Sequence, residues 1–331
     1  MYGELYTTYK NEVISDIISK TNTILSNPFL SRNNDLIIPG SGENPIDTAV
    51  ARAIYQNDII LGGDLNILRP KSNVSAAFLS YQINGVRRYD IAKKAQGKSI
   101  VHLHNSDLKE VLVSIPTYDE QLHIVELLTK IDEMMDAQIK IIDDYNSLKM
   151  EIYNCMFKEN YADYKLKQLA YIVKGDQINN DQLLSNGSYY MMNGGASPSG
   201  YLDSYNVSEN TISISEGGNS CGYVQFNSSP FWSGGHCYTI QNVNSALIEN
   251  KYLYHYLKYK EKEIMNLRIG TGLPNIQKKD LENFTILVPS LLIQRKNLAL
   301  FEMLDEKISI LNEELANLQK QKKYLLCNMF I

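Results

Sequence analysis

The sequence predicts an α+β protein in which two mixed α/β lobes are separated by two long helices packed as an antiparallel coiled coil. Three observations predict it. Shifted by 173 residues, the chain lies on itself without a gap over about fifty residues. The end of each copy carries apolar residues stepping by 4 and 3, with no Gly or Pro. The remainder alternates short β-prone runs with Gly, Asn and Ser clusters. In the repeat, Asp107-Leu108 falls on Asp280-Leu281, Pro116 on Pro289, Gln121 on Gln294 and Leu127 on Leu300. Asp132-Glu133 falls on Asp305-Glu306, Lys149 on Lys322, Met156-Phe157 on Met329-Phe330, and Gly97 on Gly270 upstream.

The expected order is a first lobe over 1–106, a first helix segment over 107–160, a second lobe over 161–280 and a second helix segment over 281–331. In the first lobe, Asp58-Ile59-Ile60-Leu61 reads as a strand before Gly62-Gly63. The first helix follows Pro116, which cannot sit in a helix interior, with Asp119 as a candidate cap. Its seam is Ile131, Met135, Gln138, Ile142, Tyr145, Lys149, Ile152 and Met156. The second lobe offers strands at Leu169–Val173, with a turn at Lys174-Gly175, at Thr211–Ile214 before Gly217-Gly218, and at Cys237–Ile240 after Gly234-Gly235. Tyr252, Tyr256 and Tyr259 give helical spacing within Lys251–Met265. The second long helix follows Pro289, with Ser290 as a candidate cap. Its seam is Leu304, Ile308, Leu311, Leu315, Leu318, Lys322, Leu325 and Met329. Each helix, at about 38 residues, would run roughly 57 Å. An amphipathic seam needs a partner, and the other copy's seam is the evident one. The matched lysines at 149 and 322 set its register.

Composition is that of an ordinary globular chain: 331 residues, 44% hydrophobic and 21% charged. No apolar run approaches the ~20 residues of a membrane helix, and the start carries no signal pattern. Cys155, Cys221, Cys237 and Cys327 show no CxxC pair and no zinc spacing, so they read as buried, reduced thiols in a cytoplasmic protein. The net charge of −5 sits unevenly. Residues 107–160 hold 5 Lys and Arg against 12 Asp and Glu, whereas 1–106 hold 11 against 9 and 161–280 hold 10 against 10. Near-neutral lobes leave room for basic faces that meet phosphates.

The tail IPTYDEQLHIVELLTKIDEMMDAQIKIIDDYNSLKMEIYNCMF and its second copy VPSLLIQRKNLALFEMLDEKISILNEELANLQKQKKYLLCNMF are joined by YGELYTTY, DIILGGDLNILRP, TISISEGGNSCGYVQFNSSPFWSGGHCYTIQ and GTGLPNIQKKDL. In these stretches the chain resembles the specificity (S) subunit of type I restriction-modification systems. The resemblance covers nearly the whole chain. It implies that each lobe is a target recognition domain reading half of a split site in double-stranded DNA. It implies too that the helices measure the gap and dock modification (methyltransferase) subunits, which restriction subunits join. One departure stands out. The second copy has YKLKQLAYIVKGDQINNDQLLSNGSYY ahead of Met192-Asn193-Gly194-Gly195, the point matching Tyr2-Gly3-Glu4. The first lobe is thus expected to lack opening strands and to self-associate through the exposed edge.

Chemistry of the chain's own finds little support. Asn27-Pro28-Phe29 and Ser229-Pro230-Phe231 lack the second proline of an amino-methyltransferase clamp, and no glycine-rich cofactor loop follows a strand. Glu249-Asn250-Lys251 mimics a nuclease triplet without its Asp, and His102 and His104 lack further metal ligands. No catalytic residue, metal or cofactor is therefore expected. Base edges are read by Arg, Lys, Asn and Gln. The candidates for DNA contact are Asn66, Arg69, Lys71, Arg87 and Arg88 in the first lobe. In the second they are Asn219, His236, Asn275, Gln277, Lys278 and Lys279, after the flexible Gly270-Thr271-Gly272. The glycine pairs serve either tight turns or close approach of backbone to DNA. The rival readings are a coiled-coil scaffold that assembles proteins without touching DNA and a lone DNA-modifying enzyme.

Overall fold

A computed structural model describes residues 2–22, 26–157, 161–270, 272 and 274–330. The first lobe runs α1 (Glu4–Thr7), β1 (Val13–Ile14), β2 (Phe29–Leu30), β3 (Asp35–Pro39), β4 (Ser41–Gly42), α2 (Pro45–Thr48), β5 (Arg52–Ile54), β6 (Ile60–Leu61), β7 (Leu65–Leu68), α3 (Ala76–Asn84), α4 (Arg88–Ala92), β8 (Val101–His102) and α5 (Asn105–Leu108). The first long helix is α6 (Tyr118–Met156). The second lobe runs β9 (Ala162–Lys165), α7 (Leu166–Leu169), β10 (Tyr171–Lys174), β11 (Tyr189–Met192), β12 (Gly200–Leu202), β13 (Thr211–Ser215), β14 (Val224–Asn227), β15 (Trp232–Ser233), β16 (Cys237–Gln241), α8 (Asn250–Tyr259), α9 (Glu261–Met265), α10 (Lys278–Glu282) and β17 (Thr285–Val288). The second long helix, α11 (Leu291–Asn328), closes the order.

The chain divides into two compact units, 1–142 with 310–331 and 143–309. Each unit therefore holds one lobe and part of both long helices. The helices lie antiparallel within each. In the first unit Asp132 faces Lys322, and Gln138 donates to Leu311 O and to Glu314. In the second, Lys149 pairs with Asp305, and the Tyr153 ring meets Phe301 edge-on at 4.8 Å. Between Asp136 and Glu151 of α6, Gln138, Ile142, Tyr145 and Lys149 are the residues at least partly buried, the 4-3 stripe of a seam. Asp119 does not cap α6. Thr117 does, through a reciprocal box with Glu120 whose side-chain bonds measure 2.7–3.4 Å. Asp119 is instead a first-turn residue.

The two lobes share a three-strand frame in one register. β3 pairs antiparallel with β5 and β7 (Leu36 opposite Ala53 and Leu68), and β13 pairs likewise with β14 and β16 (Ile212 opposite Phe226 and Ile240). An asparagine with positive φ, Asn34 or Asn210, leads into each central strand. The buried glutamines at 121 and 294 brace each lobe to the start of its helix. Gln121 donates to Asn73 O and Pro116 O and accepts from Ser75 N; Gln294 does the same with Leu247 O, Pro289 O and Glu249 N. The closing aromatic of each helix fills a core. Phe330 tilts against Phe78 at 5.2 Å, and Phe157 packs on Tyr252 and Tyr256 at 5.6 and 5.1 Å.

The frame differs at its rims. In the second lobe β10 covers the outer edge of β16, with Ile172 opposite Ile240. In the first, β7 ends the sheet order β1-β5-β3-β7. The first lobe instead adds β1, parallel to β5. Tyr2–Glu4 does not take the place of Met192–Gly195. Glu4 opens α1, and the strand on β6 is Phe29–Leu30, whereas the one on β15 is β11.

Candidate nucleic-acid interface

One end of the second lobe's sheet gathers five loops. The carboxylate of Glu216, at the end of β13, is nearly buried. It accepts from Lys174 Nζ at 2.7 Å and from Tyr238 Oη at 3.0 Å, and His236 Nδ1 lies 3.8 Å away. Glu216 N–H donates to His236 O, and His236 N–H donates to Asn193 Oδ1. Gly218 N–H donates to Pro274 O, and Ile276 N–H to Glu216 O. Gln277 Nε2 reaches Asn275 Oδ1 at 3.1 Å. These bonds join the stretches around residues 174–177, 193–194, 216–219, 234–236 and 269–277, leaving Asn219, His236, Asn275 and Gln277 exposed together. Lys278 and Lys279 open α10 beside them. Lys278 faces Glu282 at 3.8 Å, and Lys279 makes no ion pair among the described residues. The result is a polar rim of amide and imidazole groups flanked by lysines. Such groups match purine edges and phosphates.

The glycine pairs divide between the two roles. Gly234 is held by packing, since a Cβ there would come within 2.6 Å of Asn193 Oδ1. Gly218 has a φ of 77° and open space where a side chain would stand. Thr271 lies outside the described residues.

The first lobe's candidates are not brought together. Asn66 is buried in β7, and its amide donates to Leu103 O at 2.8 Å. In the second lobe Tyr238 stands in that place, its Oη 3.2 Å from Ile276 O while its proton goes to Glu216. A side chain held in this way is a brace, with no free edge for a base. Arg69 and Lys71 lie beyond the other end of β7. Arg69 pairs with buried Asp35 at 3.1 Å, donates to Leu30 O and stacks on Phe29 at 5.2 Å. Arg87 pairs with Asp90, and Arg88 reaches Ile46 O while lining a cleft with Glu12, Arg52 and Lys322.

The equivalent rim of the first lobe is occupied by Ser41, Asp64, His102 and His104. β4 pairs with β8, Ser41 opposite His102, as Gly217 bridges Asn275. Ser41 Oγ and His102 Nδ1 are 2.7 Å apart. His102 and His104 thus stand where Asn275 and Gln277 stand, and the 173-residue shift that aligns the helices also pairs these positions. By type and spacing the two histidines read as a loop or strand-edge pair sooner than as metal ligands, and neither reading marks them for a DNA-facing rim.

Deep in each unit lies a seam cluster. Lys322 Nζ sits 2.5 Å from Asp132 and 2.6 Å from Glu12. Burial works against its charge, but Glu12 and Asp132 outweigh that and hold its pKa above the ordinary lysine value. Tyr81 Oη donates to Asp132 at 2.7 Å. In the second unit Lys149 meets Asp305, and His255 takes the tyrosine's part, with Nε2 3.9 Å from Asp305 and Nδ1 2.7 Å from Tyr153 Oη. Burial, aided by Lys149, pushes the His255 pKa down to about 3. These groups are spent on the fold. Among the described residues no group of three or more His, Cys, Asp or Glu is placed to hold a metal, and no helix is long and apolar enough to cross a membrane.

Comparison with known proteins places this geometry. The family model for the type I restriction modification DNA specificity domain matches residues 5–143 and 158–320. A putative type I specificity subunit of Mycoplasma pneumoniae is 34% identical over 155 residues, 46% of this chain and 41% of that protein. A second, from Mycoplasma genitalium, is 32% identical over 38% of this chain and 33% of that protein, so the chain matches less than half the length of either. A putative type I restriction enzyme specificity subunit of Methanocaldococcus jannaschii is 23% identical over 83% of this chain and 72% of its own length. Among solved structures, the S subunit of a type I restriction-modification system from M. genitalium has the same fold, with a TM-score of 0.66 at 21% identity over 97% of this chain and 89% of that one. With both lobes and most of both long helices inside the matched residues, the chain belongs to the type I restriction modification DNA specificity domain family.

Proposed function

We propose that this chain is the sequence-recognition subunit of a type I restriction-modification complex. Each lobe reads one half of a bipartite DNA site, the long helices dock methyltransferase subunits and set the gap, and restriction subunits join that assembly in the cytoplasm. Methyl transfer and cleavage belong to the partners. One observation carries the reading: the two lobes keep one frame and change its rim. Strand register, the Asn34 and Asn210 turns and the Gln121 and Gln294 braces repeat, while Asp64 answers to His236, His102 to Asn275 and His104 to Gln277. A scaffold that only assembles proteins has no use for two different polar rims on one frame. Two readers of different half-sites require them.

Among the proposed contacts, Asn219, His236, Asn275 and Gln277 face base edges in the second lobe, and Lys278 and Lys279 face phosphates. Arg69, Lys71, Arg87 and Arg88 serve the first half-site at most through the backbone, and Asn66 acts indirectly as a brace. The test is duplex binding by the chain assembled with its methyltransferase subunits, measured across a salt series. Affinity that falls steeply with salt and depends on sequence supports recognition. Assembly without DNA binding would leave the scaffold reading in its place, and methyl transfer by the chain alone would overturn its non-catalytic role.

A further inference from the structure

In the second lobe one contiguous stretch, from Tyr161 to Lys174, does three jobs. β9 pairs with β17, with Ile286 opposite Tyr164 and Val288 opposite Ala162. Leu166 and Leu169 of α7 enter the core, and Leu166 N–H donates to Phe284 O at 2.9 Å. β10 then covers the edge of β16. The first lobe shows the complementary surface at each place. Leu112–Ile115 answers to β17, yet Val113 is 37% and Ile115 49% exposed, where their counterparts Ile286 and Val288 are 0% and 7%. Among the described residues, the backbones of Val113 and Ile115 make no hydrogen bond, and Val111 O, the counterpart of Phe284 O, accepts none. Among the described residues, no strand pairs with the outer edge of β7, the counterpart of β16. Beside Ile115 lies a cleft of about 520 Å³ lined by Phe78, Ile115, His123, Ile124, Met329 and Phe330. In the second lobe the counterparts of its apolar walls, Tyr252, Val288, Met156 and Phe157, share a core with Tyr164.

We propose that the first lobe is a receptor for a strand–turn–strand polypeptide segment of the Tyr161–Lys174 kind. Its first strand adds to Leu112–Ile115, a Leu-x-x-Leu turn fills the cleft, and its second strand adds antiparallel to β7. Main-chain hydrogen bonds at two edges supply affinity, and the cleft beside Ile115 selects the leucines. A second copy of this chain is a poor occupant, because its own segment is bound in its second lobe, where Leu166 and Leu169 are 0% and 1% exposed. The occupant is a polypeptide segment of that pattern, an apolar strand, a Leu-x-x-Leu turn and a second strand. This inference rests on the internal repeat and not on DNA recognition, so either can fail alone.

The probe is a synthetic peptide of residues 161–175, added to the whole chain and followed by hydrogen exchange. Saturable slowing of exchange at 65–69 and 111–116, absent with a Leu166→Asp, Leu169→Asp peptide, is the expected result. Absence of any slowing at saturating peptide, or slowing equal for both peptides, overturns the proposal. So does a chain that is already a dimer with both stretches protected, since a second copy would then be the occupant.

Discussion

At the scale of single residues, the decisive groups are those whose charge the fold encloses. Lys322 stands between two buried carboxylates, whereas among the described residues Lys149 forms an ion pair with Asp305 alone, whose side chain is 39% exposed. Removing one partner of an enclosed pair costs about 3–5 kcal/mol, and a solvated pair costs about 1 or less. Lys322→Met is therefore expected to destabilise the first unit by several kcal/mol and Lys149→Met far less, a ranking read from urea titrations of the two variants. His255 gives a pH dependence of definite sign. Its folded pKa is lowered to about 3, and the unfolded value is near 6.5. Between those values the unfolded chain binds the extra proton, so stability is full above about pH 6.5 and is lost as pH falls towards 3. His255→Gln should flatten the difference in unfolding free energy between pH 7 and pH 4 relative to the parent. An equal slope in both proteins would show that other groups, the carboxylates above all, account for it. At the rim, Gln277→Ala should cost about 1–3 kcal/mol on the cognate site only. Lys279→Ala should weaken all sequences alike and lower the salt slope by about 1. Both are read by fluorescence anisotropy on cognate and scrambled duplexes.

At the scale of elements, the long helices were legible in the sequence and the lobes only partly so. A helix seam is a local pattern, and residues 3 and 4 apart share a face whatever lies around them. The strands at Thr211–Ser215 and Cys237–Gln241 were legible for a similar reason, as β-prone runs beside glycine pairs. The start of α6 was misread, because Asp119 is a good cap by type. Thr117-Tyr118-Asp119-Glu120 carries the S/T-x-x-E pattern of a capping box, and that reciprocal pair outranks the lone carboxylate of Asp119. The helix expected over Lys251–Met265 breaks at Lys260 into α8 and α9. The rim was not legible, since its members are joined by pairing across long separations, such as Gly217 with Asn275. Asn66 looked like a reader of bases because residue type does not reveal burial. Ile142, 8% exposed in the seam, tests the element directly. Ile142→Asp buries an unpaired charge and should cost several kcal/mol, with loss of methyltransferase subunits from a pull-down. Unchanged melting and unchanged assembly would contradict a structural seam.

At the scale of the whole molecule, the repeat makes the helices the adjustable part. Removing two whole heptads from both α6 and α11 keeps the seam in phase and shortens each helix by about 21 Å. The half-sites recognised in the cell should stay as they were while the gap between them changes, which methylome sequencing reads directly. A constant gap would mean that the helices join the lobes without measuring anything. The composition of the first unit, 1–142 with 310–331, has a temporal consequence as well. On the ribosome, the carboxylates of Glu12 and Asp132 emerge long before Lys322. At 5–20 residues per second the interval from Asp132 to Lys322 is roughly 10–40 s, and that from Glu12 is longer still. Until the last turns of α11 leave the exit tunnel, the first lobe has neither its neutralising ammonium nor the Phe330 ring in its core. A nascent chain interrupted in the second lobe is thus left with a half-made first domain, open to chaperones and proteases, and only a chain translated through its last helix can complete it.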